Sequence, residues 1–190
     1  MKIRSWNLVI TALLAGAVML AGCGRSKERV RTQVQTISFE HQLVVNRLDA
    51  MERSLESYVP SIMDKTYQEV LMQLDSSTVV IKGLKPLKED EDLRDDALLL
   101  FDTYRLLVEN EYGEMIRRQK KPAGTFTAAD EFLVANLGKH VALNRRRAKE
   151  KYEKEAARVL AAHNIAFEPV KEEVPEVSSS KTPDSAKPVQ

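Results

Sequence analysis

The side chains best suited to chemistry are few in this sequence: one cysteine, Cys23, and three histidines, His41, His140 and His163. A single cysteine cannot build a cysteine-based zinc site. His140 and His163 are too far apart along one predicted helix to act as a ligand pair. The Glu-x-x-His motif of di-metal helical bundles is also missing from the sequence. We therefore predict no metal site and no cofactor.

His41 falls in an apolar stripe of the first predicted helix, where a ring facing the core could bind a metal ion or haem. Such a ring is more often hydrogen-bonded or at the edge of the core, and we interpret His41 in that way. Carboxylates such as Glu109, Glu111 and Glu114 cluster in charged helical surface. Acid-base catalysis needs two groups whose environments separate their pKa values, which exposed helix faces do not provide. We predict that the chain is not an enzyme and has no catalytic residue.

A basic run is the charge feature that suggests a binding surface. It comprises Arg145, Arg146 and Arg147, followed by Lys149 and Lys151. Three glutamates interleave with its end, so one interpretation is a solvated helix face with i,i+4 ion pairs. The other is a contact site for anionic headgroups, an envelope polymer or an acidic protein partner. Both interpretations stay open from the sequence.

The N-terminal stretch decides where the chain is located. Lys2 and Arg4 precede an uncharged, mostly apolar run that ends in Leu20-Ala21-Gly22-Cys23. A basic start, an apolar middle and small residues at the end are typical of a secretory signal, and the run is too short for a spanning helix. The last four residues resemble the lipobox of bacterial lipoproteins. That resemblance implies removal of residues 1–22 and a lipidated, palmitate-bearing Cys23 that anchors the chain to a membrane. The alternative is an ordinary secretory signal with a chance cysteine near its end.

Two further features bear on location and partners. Gly24 follows Cys23, where some bacteria use aspartate to retain lipoproteins in the inner membrane, so we expect the outer membrane of a bacterial cell envelope. The net charge is +1. Loss of Lys2 and Arg4 with the signal leaves the mature chain close to neutral, which does not suggest nucleic acid as a partner.

Prolines divide the remaining sequence into helices. Pro60, Pro86 and Pro122 separate four long periodic segments, which predicts helices over about 30–58, 61–82, 89–119 and 127–163. The first segment has the strongest pattern, a 3.5-residue repeat typical of a bundle seam. Its predicted core positions are Val30, Val34, Ile37, His41, Val44, Leu48, Met51, Leu55 and Tyr58, widened by Phe39 and Val45.

Helix ends are indicated by capping patterns. Ser61 with Asp64, and Thr127 with Asp130, each fit a capping box. Gly83 and Asn164 are each expected to end a helix in the left-handed conformation, with Ile165 reaching back to Leu160.

These segments predict an all-α fold, an up-down-up-down four-helix bundle with a disordered C-terminal tail. The predicted divisions are a cleaved signal over 1–22, a lipidated tether over 23–29, the bundle over 30–167 and a Pro/Ser/charged tail over 168–190. In such a bundle the last helix returns to the lipidated end, so we expect the basic run to face the bilayer.

The bundle sequence resembles a functionally uncharacterised family of small all-helical bacterial surface lipoproteins. The matching residues are Leu93-Arg94-Asp95-Asp96-Ala97-Leu98 leading into Tyr104, then Glu109-Asn110-Glu111-Tyr112 and Ala162-His163-Asn164-Ile165. The run Arg145 to Arg147 lies outside that pattern. The resemblance implies the fold rather than an activity.

Two functions remain. The preferred one is a non-enzymatic structural or interaction module tethered to the envelope. The alternative is a carrier that holds a lipid or haem between helices, around Met51, Met63, Tyr67, Phe101 and Tyr104.

Overall fold

The computed structural model describes residues 4–88, 91–122 and 124–167, with side chains described from residue 26 onward. Over these residues the chain is all-α, as predicted. The helices are α1 (Arg4–Ser57), α2 (Pro60–Lys82), α3 (Arg94–Leu107), α4 (Gly113–Gln119) and α5 (Ala128–Ala162). A π-helical segment, Val108–Tyr112, joins α3 directly to α4. The predicted tail, 168–190, lies outside the described residues.

α1 supplies a long apolar face to the core. Its predicted seam is buried from Val30 to Leu55, which confirms the 3.5-residue pattern. Tyr58 is 67% exposed because it lies past the end of α1, so its assignment to the core was wrong. Phe39 is also exposed, since it lies about 200° around the helix from Ile37. α1 begins earlier than predicted, and residues 24–29, expected as a tether, are helical.

α1 and α2 run in opposite directions along each other. The Ser54 and Thr66 hydroxyls lie 2.8 Å apart near the turn, and the Ser77 hydroxyl donates to Glu40 over 2.7 Å further along. α3 and α4 run opposite to α5 in the same way. Arg118 contacts Asp130 at 2.8 Å, near the start of α5, and Glu91 contacts His163 at 3.2 Å, just after its end.

The capping predictions succeed at α5 and fail at α2. Asp130 and Thr127 form the predicted capping box. Asn164 has the predicted left-handed φ of 53°, and the Ile165 amide donates to the Leu160 carbonyl over 3.0 Å.

At α2 the predicted Ser61 box was wrong because the helix begins at Pro60, whose missing N–H and fixed φ suit a first helical position. Gly83 ends α2 as predicted, but with a φ of −78° rather than in the left-handed region.

α3 begins at Arg94, five residues later than predicted, because its start is held by a contact with α1. Asp92 accepts from the Arg94 amide over 3.1 Å, and Gln33 of α1 donates to Asp92 over the same distance. Gln33 also accepts from the Leu93 amide. These bonds satisfy amides that the first turn of a helix leaves free.

Candidate functional site

The predicted contact residues on α5 divide into a buried arginine and a more accessible set. Arg146, Arg147 and Lys151 are exposed and Lys149 is partly buried, whereas Arg145 is only 6% exposed. The assignment of Arg145 to a partner or headgroup contact was therefore wrong. Arg145 follows the buried Val141 by four residues, which places it on the core-facing side of α5.

Arg145 is held by acidic groups from α1. Its Nη1 lies 2.7 Å from Glu52 Oε1, and its Nη2 lies 3.4 Å from Asp49 Oδ1. The Tyr112 hydroxyl, from the π-helical segment, donates to the same Glu52 oxygen. Burying a charge is costly unless it is paired and hydrogen-bonded, and this arrangement provides both. The cluster ties three elements together, namely α1, the π-helical segment and α5.

The π-helical segment shapes this cluster. A π turn adds a residue to the helical turn, which changes the directions in which the following side chains point. Tyr112 is buried beside Arg145, and Glu111 Oε1 lies 3.0 Å from His140 Nδ1 of α5. Burial raises the pKa of Tyr112 well above its usual value. The Arg145 charge opposes that rise, and the Glu52 charge and hydrogen bond add to it.

The exposed cations of α5 differ in their pairing. Arg146 pairs with Glu150 and Lys149 with Glu153, each at 3.8 Å across one helical turn. The solvated-face interpretation therefore fits Arg146 and Lys149. Arg147 and Lys151 form no ion pair with the part of the chain that the structure describes. Their role as a contact site stays a prediction.

Arg147 and Lys151 line a depression between α3 and α5, which we call the α3–α5 groove. Its volume is about 270 Å³. Apolar and polar groups from both helices form its wall: Asp96, Leu99, Leu100 and Thr103 from α3, and Asn144, Arg147, Ala148, Lys151 and Tyr152 from α5. The groove therefore combines an apolar surface with two cations.

Tyr152 is the buried polar residue of this groove. It is 3% exposed, and its hydroxyl has no hydrogen-bond partner within the described residues. Burial raises the pKa of Tyr152, and the nearby charges of Asp96 and Glu153 raise it further. A buried hydroxyl without a partner costs about 1–3 kcal/mol. Such a group is suited to receive a hydrogen bond from, or donate one to, a bound molecule.

A second groove lies between α2 and α4, with a volume of about 380 Å³. Tyr67, Gly113, Lys120 and Arg117 are among its lining residues. Its cations are already paired, since Lys120 lies 2.7 Å from Asp64 and Arg117 lies 2.6 Å from Glu114 of its own helix. This groove therefore offers less unneutralised charge to a ligand than the α3–α5 groove.

The histidines occupy hydrogen-bonded positions. His41 is buried, as its place in the seam indicates, and its Nε2 lies 3.0 Å from the Tyr104 hydroxyl. His140 and His163 each contact a glutamate, Glu111 and Glu91 respectively. Within the described residues no group of three or more His, Cys, Asp or Glu side chains is placed to hold a metal ion.

The basic run lies far along the bundle from Cys23. Arg145 contacts Glu52, which at 1.5 Å per residue is about 40 Å along α1 from Cys23. Asn164, which follows the end of α5, lies much closer to that end, since its carbonyl accepts from Lys27 over 3.2 Å. The run therefore does not lie at the Cys23 end of the bundle, contrary to the prediction. None of the described helices is long and apolar enough to cross a membrane.

Comparison of the chain with protein-family models, with curated proteins and with solved structures finds no match.

Proposed function

We propose that this chain is a lipid-anchored protein of the bacterial cell envelope, with Cys23 as the lipidated first residue after loss of residues 1–22. The observation that carries the proposal is Leu20-Ala21-Gly22-Cys23 at the end of an apolar run that follows Lys2 and Arg4. Several acyl chains at about 0.8 kcal/mol per buried methylene give a firm anchor, whereas one chain is marginal. Gly24, rather than an aspartate that would retain a lipoprotein in the inner membrane, follows the cysteine. It favours the outer membrane as the location of the chain.

Labelling of Cys23 tests the anchor. We expect the wild-type chain to incorporate radiolabelled palmitate and to sediment with membranes, and a Cys23→Ala variant to do neither. The mature protein should also lack tryptophan fluorescence, because Trp6 is the sole tryptophan and leaves with the signal. An unlabelled wild-type chain that retains Trp6 would exclude the lipoprotein assignment.

We further propose that the anchored bundle is a non-enzymatic structural or interaction module. Its core is filled by apolar side chains, and many of its charged groups are committed to ion pairs. Arg147 and Lys151 are the predicted contact residues that stay exposed without such a partner in the described structure. Because these two side chains are cationic, they favour an acidic protein or an anionic envelope component as the binding partner. About 35–40 Å of bundle separates them from Cys23, so a protein partner at that height fits better than the anchoring bilayer.

Cross-linking in the intact envelope tests the module. We expect the tagged wild-type protein to capture a partner that an Arg147→Glu, Lys151→Glu variant loses. The matched control is Arg53→Glu with Lys82→Glu, which reverses two exposed cations on α1 and α2. Equal capture by both variants would exclude α5 as the contact surface. Arg145 is left unchanged because its loss would disturb the fold.

The alternative, a carrier that holds a ligand between the helices, is not favoured at the residues first considered. Met51, Met63, Phe101 and Tyr104 are fully buried and pack in the hydrophobic core. Tyr67 is partly buried and lines the surface groove between α2 and α4. These contacts fit core residues better than the wall of an internal ligand site.

A further inference from the structure

The α3–α5 groove brings together three features that a ligand would satisfy. Arg147 and Lys151 are exposed and lack an ion pair within the described chain. Tyr152 has a buried hydroxyl with no partner there. Leu99, on the opposite wall, leaves 47% of its surface in solvent. Charge, a hydrogen-bonding group and apolar surface thus meet in one depression of about 270 Å³.

The charges of the groove define the ligand. Arg147 and Lys151 are four residues apart and so lie on the same face of α5. Asp96 lines the facing wall from α3, and the charge of Glu153 acts on Tyr152, so nearby carboxylates partly offset the two cations. Because each negative charge on a ligand is repelled by these carboxylates, the groove favours a ligand with one negative charge over one with two. Apolar surface from Leu99, Leu100 and Ala148 adds a preference for a ligand with a hydrophobic part.

We propose that the α3–α5 groove binds an amphiphile that carries one negatively charged phosphodiester or similar oxyanion. Arg147 and Lys151 pair with the oxyanion, and the Tyr152 hydroxyl donates a hydrogen bond to it. The apolar part of the ligand covers Leu99 and Ala148. The groove shares Arg147 and Lys151 with the proposed contact face, and in that respect the inference rests on the proposed function. Its test below uses purified protein and is independent of envelope attachment.

Thermal unfolding of the full chain in maltoside micelles, followed by far-UV circular dichroism, measures binding because a ligand of the native state raises Tm. We would add dihexanoylphosphatidylglycerol, which has one negative charge, and dihexanoylphosphatidylcholine, which has the same acyl chains and no net charge. Glycerophosphoglycerol, which is the same singly charged phosphodiester without acyl chains, provides the anion without the apolar part. We expect the phosphatidylglycerol to raise Tm and the other two to have little effect. An equal shift with glycerophosphoglycerol would overturn the amphiphile assignment.

Variants connect the shift to the groove. Arg147→Ala with Lys151→Ala should weaken the binding of phosphatidylglycerol at least about tenfold, since hydrogen bonds to charged groups contribute strongly. The control, Arg146→Ala with Lys154→Ala, removes two exposed cations that do not line the groove and should keep the shift. Tyr152→Phe should raise the ligand-free Tm and reduce the shift. No shift in the wild type, or the same shift in both double variants, would overturn the proposal.

Discussion

Arg145 occupies a position in α5 where the surrounding pattern calls for an apolar side chain. Val141, Arg145, Tyr152, Ala156 and Val159 are all buried, at spacings that keep to one helix face. The same face begins with another buried charge, Asp130. The position of Arg145 in this helical period therefore distinguishes it from Arg146 and Arg147 in the sequence alone. Its charge partners, Asp49 and Glu52, are too distant in the chain for any local pattern to reveal.

The first prediction concerns the stability that depends on Arg145. Arg145→Met removes the cation that neutralises Asp49 and Glu52, and we expect a loss of about 3 kcal/mol. This is the lower end for a broken buried pair, because these carboxylates keep some contact with solvent. Urea unfolding followed by circular dichroism measures the loss. Arg146→Met is the control and should change the free energy of unfolding by less than about 0.5 kcal/mol. Similar losses in both variants would contradict the structural role of Arg145.

The second prediction concerns alkaline pH. Burial raises the pKa of Tyr112 and of Tyr152 in the folded state above that of an unfolded tyrosine, near 10. The folded chain therefore holds these protons more tightly, and its stability is full below pH 10 and falls as the pH rises further. The expected slope is about 1.4 kcal/mol per pH unit for each tyrosine.

Absorbance at alkaline pH measures this effect directly. Among the five tyrosines, Tyr112 and Tyr152 should ionise only as the chain unfolds, because burial raises the pKa of both. Tyr152→Phe should shift the alkaline unfolding midpoint upward, and Tyr58→Phe should leave it unchanged. Ionisation of all five tyrosines before unfolding would contradict the prediction.

At the scale of elements, the periodicity of the apolar residues predicted which segments are helical. It predicted only some of the residues at which the helices begin and end. The α5 cap was predictable because Thr127 and Asp130 act within one turn. The start of α3 was not predictable, because the Gln33 side chain of α1 hydrogen-bonds to the Asp92 carboxylate and to the Leu93 amide. The π-helical segment also escaped prediction, because its side chains satisfy contacts with α1 and α5. Local patterns thus identify helices, and tertiary contacts set several of their ends.

The third prediction concerns the start of α5. The Lys121 ammonium beside Asp130 lowers the pKa of that carboxyl, and the Thr127 amide and Arg118 lower it further. A carboxyl with a lowered folded pKa stabilises the chain above its unfolded pKa, near 3.9, and this stabilisation is lost as the pH falls.

We expect Asp130→Asn to lower Tm at neutral pH and to reduce the further loss of Tm between about pH 5 and pH 2. The control is Asp64→Asn, which removes an exposed ion pair with Lys120 and should have a small effect. Thermal melts across this pH range measure both. Parallel pH profiles for Asp130→Asn and the wild type would contradict the assignment.

The fourth prediction concerns Gly113, the first residue of α4. A Cβ there would lie 3.7 Å from the Val108 carbonyl and 3.9 Å from the Tyr67 hydroxyl, which are ordinary contacts. Gly113→Ala should therefore stabilise the chain by about 0.5–1 kcal/mol through the lower entropy of the unfolded state. Chemical unfolding measures the gain, and Gly138→Ala, with open space around it in α5, is the matched comparison. A loss of stability at Gly113 would show that the π-helical junction needs glycine.

At the scale of the whole molecule, the bundle is a narrow rod built on α1. From Cys23 to Ser57 this helix is about 50 Å long, and α2 folds back beside it after a turn of two residues, Tyr58 and Val59. Tyr58 has a φ of 55°, a left-handed conformation that is costly for a side chain of this kind. The all-α architecture was predictable from the four periodic segments. The position of the basic run along the rod was not predictable from the sequence, because it depends on how α1 and α5 are staggered.

The strained turn has a consequence for how copies of the chain meet. If Tyr58 and Val59 became helical, α1 and α2 would merge, and two chains could exchange these segments to form a swapped dimer. Pro60 opposes the merger because it has no N–H to donate and clashes with the preceding turn. We expect Pro60→Ala to form dimers after refolding at high concentration, as measured by light scattering, and Tyr58→Gly to form no more than the wild type. Equal dimer fractions in the two variants would contradict this role. In the lipid-anchored form proposed above, tethering would raise the local concentration, and Pro60 would keep neighbouring molecules from exchanging their N-terminal helices.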